Sequence, residues 1–122
     1  MQVKEYIMSK VKIKLKLNDF EDKINGIFMN NQLKFLLDKK VVTLNIEDNM
    51  IMMKRMENDN EYTFICFNEN NPEAYYYFHQ KFPLNIKVNK LNIKTNQIEI
   101  NYEIEEQLFI FKLEYEEGEL WL

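Results

Sequence analysis

Apolar and polar residues alternate along most of this chain, in short runs separated by polar segments. In the clearest run Val11, Ile13, Leu15 and Leu17 alternate with lysines. A period of two is typical of a strand with one face toward a core and the other toward water. The pattern predicts an all-β protein, because no segment has the spacing of an amphipathic helix of about ten residues.

The same pattern recurs to the end of the chain. We expect about nine or ten strands, over 11–17, 24–29, 33–37, 41–46, 50–56, 62–67, 73–78, 84–93, 98–104 and 108–115. The aromatic run 73–78 fits one helical turn or a strand, and its Tyr and Phe residues favour the strand. Polar turns are expected between the strands, the first over 18–22. Asn30-Asn31 predicts a hairpin, because asparagine tolerates the left-handed backbone of tight turns.

Strands this short and evenly spaced favour one antiparallel meander, either a closed barrel or a sandwich. The apolar positions of 84–88 and of 91–93 are out of phase, which predicts a bulge near Asn89-Lys90. Such bulges bend long strands in barrels, and closure removes exposed edges, so we prefer the barrel. We expect one barrel domain over 10–116, an N-terminal extension over 1–9 and a C-terminal tail over 117–122.

Composition agrees with one ordinary globular domain. The 122 residues are 46% hydrophobic and 30% charged, with two glycines, two prolines and one cysteine. That length buries a sizeable core without a disulfide or a metal. We find neither the apolar block of a signal peptide nor a membrane span. We therefore expect a cytoplasmic protein without a membrane partner.

The charge pattern argues against nucleic acid as a partner. The formal net charge is −4, and the chain as a whole does not attract phosphates. Lys10, Lys12, Lys14 and Lys16 share one face of the first strand, where they would contact phosphates or simply face water. We favour the second interpretation, because neither arginine nor exposed aromatic residues accompany them.

Few residues offer catalytic chemistry. His79 is the only histidine and Ser9 the only serine, so a catalytic triad or a multi-histidine metal site is not expected. Cys66 lies in phase with Tyr62 and Phe64 and is predicted to be a small core residue. We expect no metal and no cofactor, and an enzyme that uses His79 is the last of our hypotheses.

Arg55 is the only arginine, and it lies in a strand rich in methionine. Pointing inward, it would need an anionic partner and would suit the head group of an apolar acid. Pointing outward, its stem would cover apolar surface. Both faces of this strand are largely apolar, so the alternation leaves both directions open, and we favour an outward or purely structural Arg55.

The aromatic cluster 75–78 places rings on both faces of its strand. One face is expected to be core, and the face with Tyr76 and Phe78 is a candidate ligand portal, base-stacking platform or contact surface. The first hypothesis is a non-enzymatic binder of a small, partly apolar or anionic ligand in the barrel. Its candidate site residues are Arg55, His79, Tyr75, Tyr77 and Tyr102. The second is an interaction protein with a filled barrel that acts through outer apolar strands, for example as a homodimer.

Three stretches resemble the YwiB-like family, small bacterial proteins of unknown function. They are the opening strand 11–15, the hairpin of 42–46 with 51–55, and the late strands 84–88 and 98–104. The chain departs from that family in having Gln80-Lys81-Phe82-Pro83 where a Thr-Pro-aromatic-Gly corner is typical, and Glu57 where a glycine is typical. The resemblance implies a calycin-type, lipocalin-like barrel and implies no activity.

Overall fold

The structure is a computed structural model that describes residues Met8 to Gly118. Eleven strands account for nearly all of this range, and none of these residues forms a helix. The strands are β1 (Ser9–Leu17), β2 (Phe20–Met29), β3 (Gln32–Leu37), β4 (Lys40–Ile46), β5 (Ile51–Asn58), β6 (Glu61–Phe67), β7 (Glu73–Phe78), β8 (Gln80–Leu84), β9 (Ile86–Lys94), β10 (Gln97–Ile104) and β11 (Gln107–Glu117). Residues 1–7 of the extension predicted over 1–9, and residues 119–122 of the tail predicted over 117–122, lie outside the described residues.

All eleven strands belong to one antiparallel sheet, in the order β8-β7-β6-β5-β4-β3-β2-β1-β11-β10-β9. Strands β8 and β9 lie at opposite ends of this order, yet only Asn85 separates them in sequence. The sheet therefore curls into a nearly closed barrel, which confirms the predicted fold class. The extra strand is β8, which forms because the chain reverses sharply at His79, a residue with a φ of 65°.

Tight turns explain how so many strands fit into a chain with few glycines. Asn18, Asn30, Asn31 and Asn96 all have positive φ values, in the left-handed region that asparagine tolerates. The predicted hairpin at Asn30-Asn31 is confirmed. The first turn is shorter than predicted, because Phe20 already pairs with Leu17 and begins β2.

The predicted bulge in β9 is confirmed. Lys90 pairs with Asn101 and Val88 pairs with Tyr102, so Asn89 has no partner in the ladder. This extra residue brings the apolar positions before and after it onto the same face of β9. The long strand thereby bends and keeps its apolar side chains toward the core.

One face of the curled sheet forms the core. Its best-buried side chains, all at most 2% exposed, come from β1, β3, β4, β5, β6, β10 and β11: Val11, Ile13, Leu15, Leu33, Val42, Leu44, Ile51, Phe67, Ile98, Ile100 and Leu113. Phe67 of β6 contacts Tyr102 of β10 across the interior, with ring centroids 4.7 Å apart. Side chains with so little accessible area leave no room for a ligand beside them.

Candidate functional site

One row of inner-face residues runs from the buried core to an uncovered surface. Strand pairing connects Val42, Arg55, Thr63, Tyr76 and Phe82 across β4 to β8. Val42 is 2% exposed, Thr63 and Tyr76 are half-buried, and Phe82 is 43% exposed. We call these five residues the open row, because along it the inner face of the sheet becomes exposed to solvent.

The pairing settles the direction of Arg55. It lies opposite the buried Val42 and two residues from Met53, which packs against the core, so it belongs to the inner face. Its side chain is 45% exposed, because the open row begins at this position. The partner that an inward arginine requires is Glu57, also on β5.

Glu57 is the centre of a group that we call the rim cluster, formed by Lys40, Arg55, Glu57 and Thr63. Oε1 of Glu57 accepts hydrogen bonds from Nε of Arg55 at 2.7 Å and from the Thr63 hydroxyl at 3.4 Å. The same oxygen lies 2.7 Å from Nη2 of Arg55. Its Oε2 accepts a hydrogen bond from Nζ of Lys40 on β4. Two cations share one carboxylate, so the cluster carries a net positive charge in a chain that is negative overall.

The surroundings of Glu57 favour its charged form. Burial raises the pKa of this carboxyl, but the hydrogen bonds and charges of Lys40 and Arg55 outweigh burial. The pKa of Glu57 therefore lies below its ordinary value. The carboxylate is ionised at neutral pH and holds both cations in place.

Tyr102 is an interior residue whose hydroxyl is affected by the charge of Arg55. It is 6% exposed, stacks on Phe109 at 5.2 Å and meets the edge of Phe67. Burial raises the pKa of its hydroxyl to about 12, and the charge of Arg55 acts against this rise. The Tyr102 hydroxyl therefore lies within the electrostatic reach of Arg55.

Tyr75 and Tyr77 lie on the outer face of the sheet, opposite Arg55, and not on the core face that the sequence pattern predicted for them. Strand pairing places them with Tyr62 and Phe64 on the outer face. Tyr77 stacks on Tyr62 at 4.9 Å, and Tyr75 stacks on Phe64 at 5.0 Å. A lysine then covers each stack, since Nζ of Lys54 lies 4.2 Å from the Tyr62 ring and Nζ of Lys81 lies 4.6 Å from the Tyr75 ring. The ring faces are occupied by one another and by the lysines, so these tyrosines stabilise β6 and β7.

His79 also lies away from Arg55. It is exposed in the β7–β8 turn, where its ring lies 4.3 Å from that of Phe78. Together with Asp59, Asn60 and Tyr77 it lines an outer groove of about 460 Å³. Of the five predicted site residues, Arg55 and Tyr102 thus lie on the inner face of the sheet, and Tyr75, Tyr77 and His79 lie on its outer side.

Cys66 requires a correction. It was predicted to be a core residue in phase with Tyr62 and Phe64, but all three belong to the outer face. The core side of β6 is formed instead by Ile65 and Phe67. Cys66 is half-buried, and burial raises the pKa of its thiol, which makes it a poor nucleophile.

Several residues of the site were not predicted. Lys40 and Thr63 gave no signal in the sequence, because only strand pairing brings them to Arg55. Glu57 was noted only as a departure from the YwiB-like pattern, although it lies two residues from Arg55 on the same strand. Tyr76 had been noted as part of a candidate portal, and Phe82 belongs to the strand that was missed. Among residues 8–118, no group of three or more His, Cys, Asp or Glu side chains is placed to hold a metal ion. Nor does that part of the chain contain a helix that could cross a membrane.

Comparison with known proteins gives little further guidance. No protein-family model and no curated protein matches the chain. Among solved structures, the chain is similar to the crystal structure of the ywiB protein from Bacillus subtilis. The sequence identity is 14% and the TM-score 0.36, over 92% of this chain and 91% of that one. With a score this low, the fold assignment rests on the strands and their pairing alone.

Proposed function

We propose that this protein is a non-enzymatic binder of a small, partly apolar ligand that carries an anionic group. The anionic group would pair with Arg55 and Lys40, and the apolar part would lie against Tyr76 and Phe82. A few charged groups beside aromatic surface are the composition expected of such a site. The filled core below Val42 limits the depth, so the ligand would lie along the open row.

The position of Arg55 is the observation that carries this proposal. A guanidinium on the inner face costs desolvation energy that an apolar residue would avoid. Here it lies where the filled core ends and the accessible inner face begins, with nearly half of its side chain exposed. An arginine in this position suits the recognition of an anion at the boundary between apolar surface and water.

The experiment compares 1-pyrenebutyrate with 1-pyrenebutanol, two fluorescent probes that differ only in the acid group. We expect the acid to bind saturably and more tightly than the alcohol. Arg55→Met should weaken the acid about tenfold or more, because a hydrogen bond to a charged group contributes about 1.5–3 kcal/mol. The alcohol should be affected little.

Lys16→Met is the matched control. Lys16 also pairs with a carboxylate, Glu21 at 3.5 Å, but it lies on β1 and outside the open row. This variant loses the same charge and should keep the affinity for the acid within about twofold, since exposed charges at a distance are screened. Equal affinity of the wild-type protein for acid and alcohol would refute the proposal.

A second candidate function is association through the outer face. Ile27 is 40% exposed and Leu36 is 59% exposed, and both line an outer groove of about 430 Å³ on β2 and β3. Exposed apolar side chains around a groove are typical of contact surfaces. If they mediate a homodimer, light scattering at micromolar concentration will detect a dimer that Leu36→Glu converts to a monomer. A monomeric wild-type protein would remove this candidate.

Membership of the YwiB-like family, and with it a calycin-type barrel, is also part of the proposal. It is supported by the opening strand 11–15 and by the β4–β5 hairpin, both present at the expected positions.

A further inference from the structure

The donors that would bind the ligand's anion already hold a carboxylate. Oε1 of Glu57 lies 2.7 Å from both Nε and Nη2 of Arg55. Its Oε2 accepts a hydrogen bond from Nζ of Lys40. The Glu57 side chain is 14% exposed, whereas those of Lys40 and Arg55 are 39% and 45% exposed. The carboxylate is therefore enclosed by its partners, while the two cations remain open to solvent.

We propose that, in the free protein, the Glu57 carboxylate occupies the position of the ligand's anionic group. A ligand carboxylate then binds by displacing Glu57 from Arg55 and Lys40. This inference rests on the proposed function above. It also narrows the ligand class to organic carboxylates, because the displaced group is a planar carboxylate that shares two oxygens between an arginine and a lysine.

Displacing Glu57 costs the free energy of its contacts with Arg55 and Lys40. A ligand must supply contacts as good as those of Glu57, and its apolar part must add binding energy along the open row. Small carboxylates such as acetate lack an apolar part and should bind weakly. The internal carboxylate would thereby act as a filter that selects acids with a sizeable apolar body.

Glu57→Gln tests this directly. Glutamine has nearly the same size but no negative charge, so it releases the two cations without opening a cavity. We expect the affinity for 1-pyrenebutyrate to rise about tenfold and the affinity for 1-pyrenebutanol to stay within about twofold, because only the acid competes with Glu57.

Glu61→Gln is the matched control. Glu61 is a neighbouring carboxylate on β6, and its Oε1 accepts a hydrogen bond from Asn58. Its replacement makes the same change in net charge near the site, so a merely long-range effect of charge would raise the acid affinity in both variants. We expect a rise in Glu57→Gln alone. Denaturation of each variant by urea verifies that it is folded.

Glu57→Asp provides a second variant if the glutamine protein does not fold. Aspartate keeps the charge but is one methylene shorter, so it holds the two cations less well and should raise the acid affinity about threefold. If Glu57→Gln and Glu57→Asp leave the affinity for 1-pyrenebutyrate unchanged while Arg55→Met abolishes binding of this acid, the displacement model is wrong and the proposed function stands. If neither the wild-type protein nor any variant prefers the acid over the alcohol, both are wrong.

Discussion

Replacing Phe67 and Tyr102 separately and together tests whether the sheet closes on itself. Six strands separate β6 from β10 in the sheet order. In an open sheet with strands about 4.8 Å apart, the two residues would lie about 34 Å apart. In the barrel their ring centroids are 4.7 Å apart, at an interplanar angle of 63°. The two arrangements therefore predict different energetic coupling.

The magnitude follows from the geometry of the pair. Phe67 and Tyr102 are 2% and 6% exposed, so Phe67→Leu and Tyr102→Leu should each destabilise the protein by about 1–3 kcal/mol. Edge-to-face aromatic pairs contribute about 0.5–1.5 kcal/mol beyond burial. The double variant should therefore lose about 1 kcal/mol less than the sum of the two single variants.

Urea denaturation followed by far-ultraviolet circular dichroism measures the four free energies of unfolding. A control cycle combines Phe67→Leu with Tyr77→Leu, since these residues lie on opposite faces of the sheet and should be additive within about 0.3–0.5 kcal/mol. If the Phe67–Tyr102 cycle is equally additive, the two rings are not in contact and the closed arrangement is refuted.

Three further predictions concern single residues. Gly26→Ala should destabilise the protein by about 1–3 kcal/mol in urea denaturation, because a Cβ there would lie 2.6 Å from Cδ1 of Ile13 and 2.9 Å from the carbonyl oxygen of Lys34. Burial raises the pKa of Tyr102 to about 12, so ultraviolet absorbance should show a tyrosine that ionises well above pH 10, and the stability that its buried neutral form provides should fall as pH rises from about 10 to 12. The pKa of Glu57 is lowered below 4.5, so its ion pairs should stabilise the folded protein above about pH 4.5, and this stability should be lost as pH falls through the folded pKa. Glu57→Gln should therefore make the midpoint of urea denaturation depend less on pH in the acid range.

The strands could be predicted from the sequence wherever one face is apolar and the other polar. The lysines of β1 and the phase change around Asn89 are such signals, and both predictions were confirmed. Strand β8 gave no such signal, because its five residues include Pro83 and only a positive φ at His79 creates the reversal. The local pattern cannot reveal such a backbone conformation in advance.

The site was less predictable than the fold, because it depends on pairing between strands. Met52 and Met56 make the outer side of β5 as apolar as its inner side, so alternation alone could not orient Arg55. Pairing with the buried Val42 decides the direction. Likewise, Lys40 and Glu57 are 17 positions apart in sequence and meet only because β4 and β5 form a hairpin.

Arg55 is the only arginine, so a ¹H–¹⁵N spectrum of the protein contains a single arginine Nε–H signal. Titration with 1-pyrenebutyrate tests the central claim most directly, because this proton is the one that Glu57 holds in the free protein. We predict that the signal shifts saturably with the acid, at the same concentration as the fluorescence change, and does not shift with 1-pyrenebutanol. A signal that stays in place while the acid binds would contradict the claim that Arg55 recognises the anion.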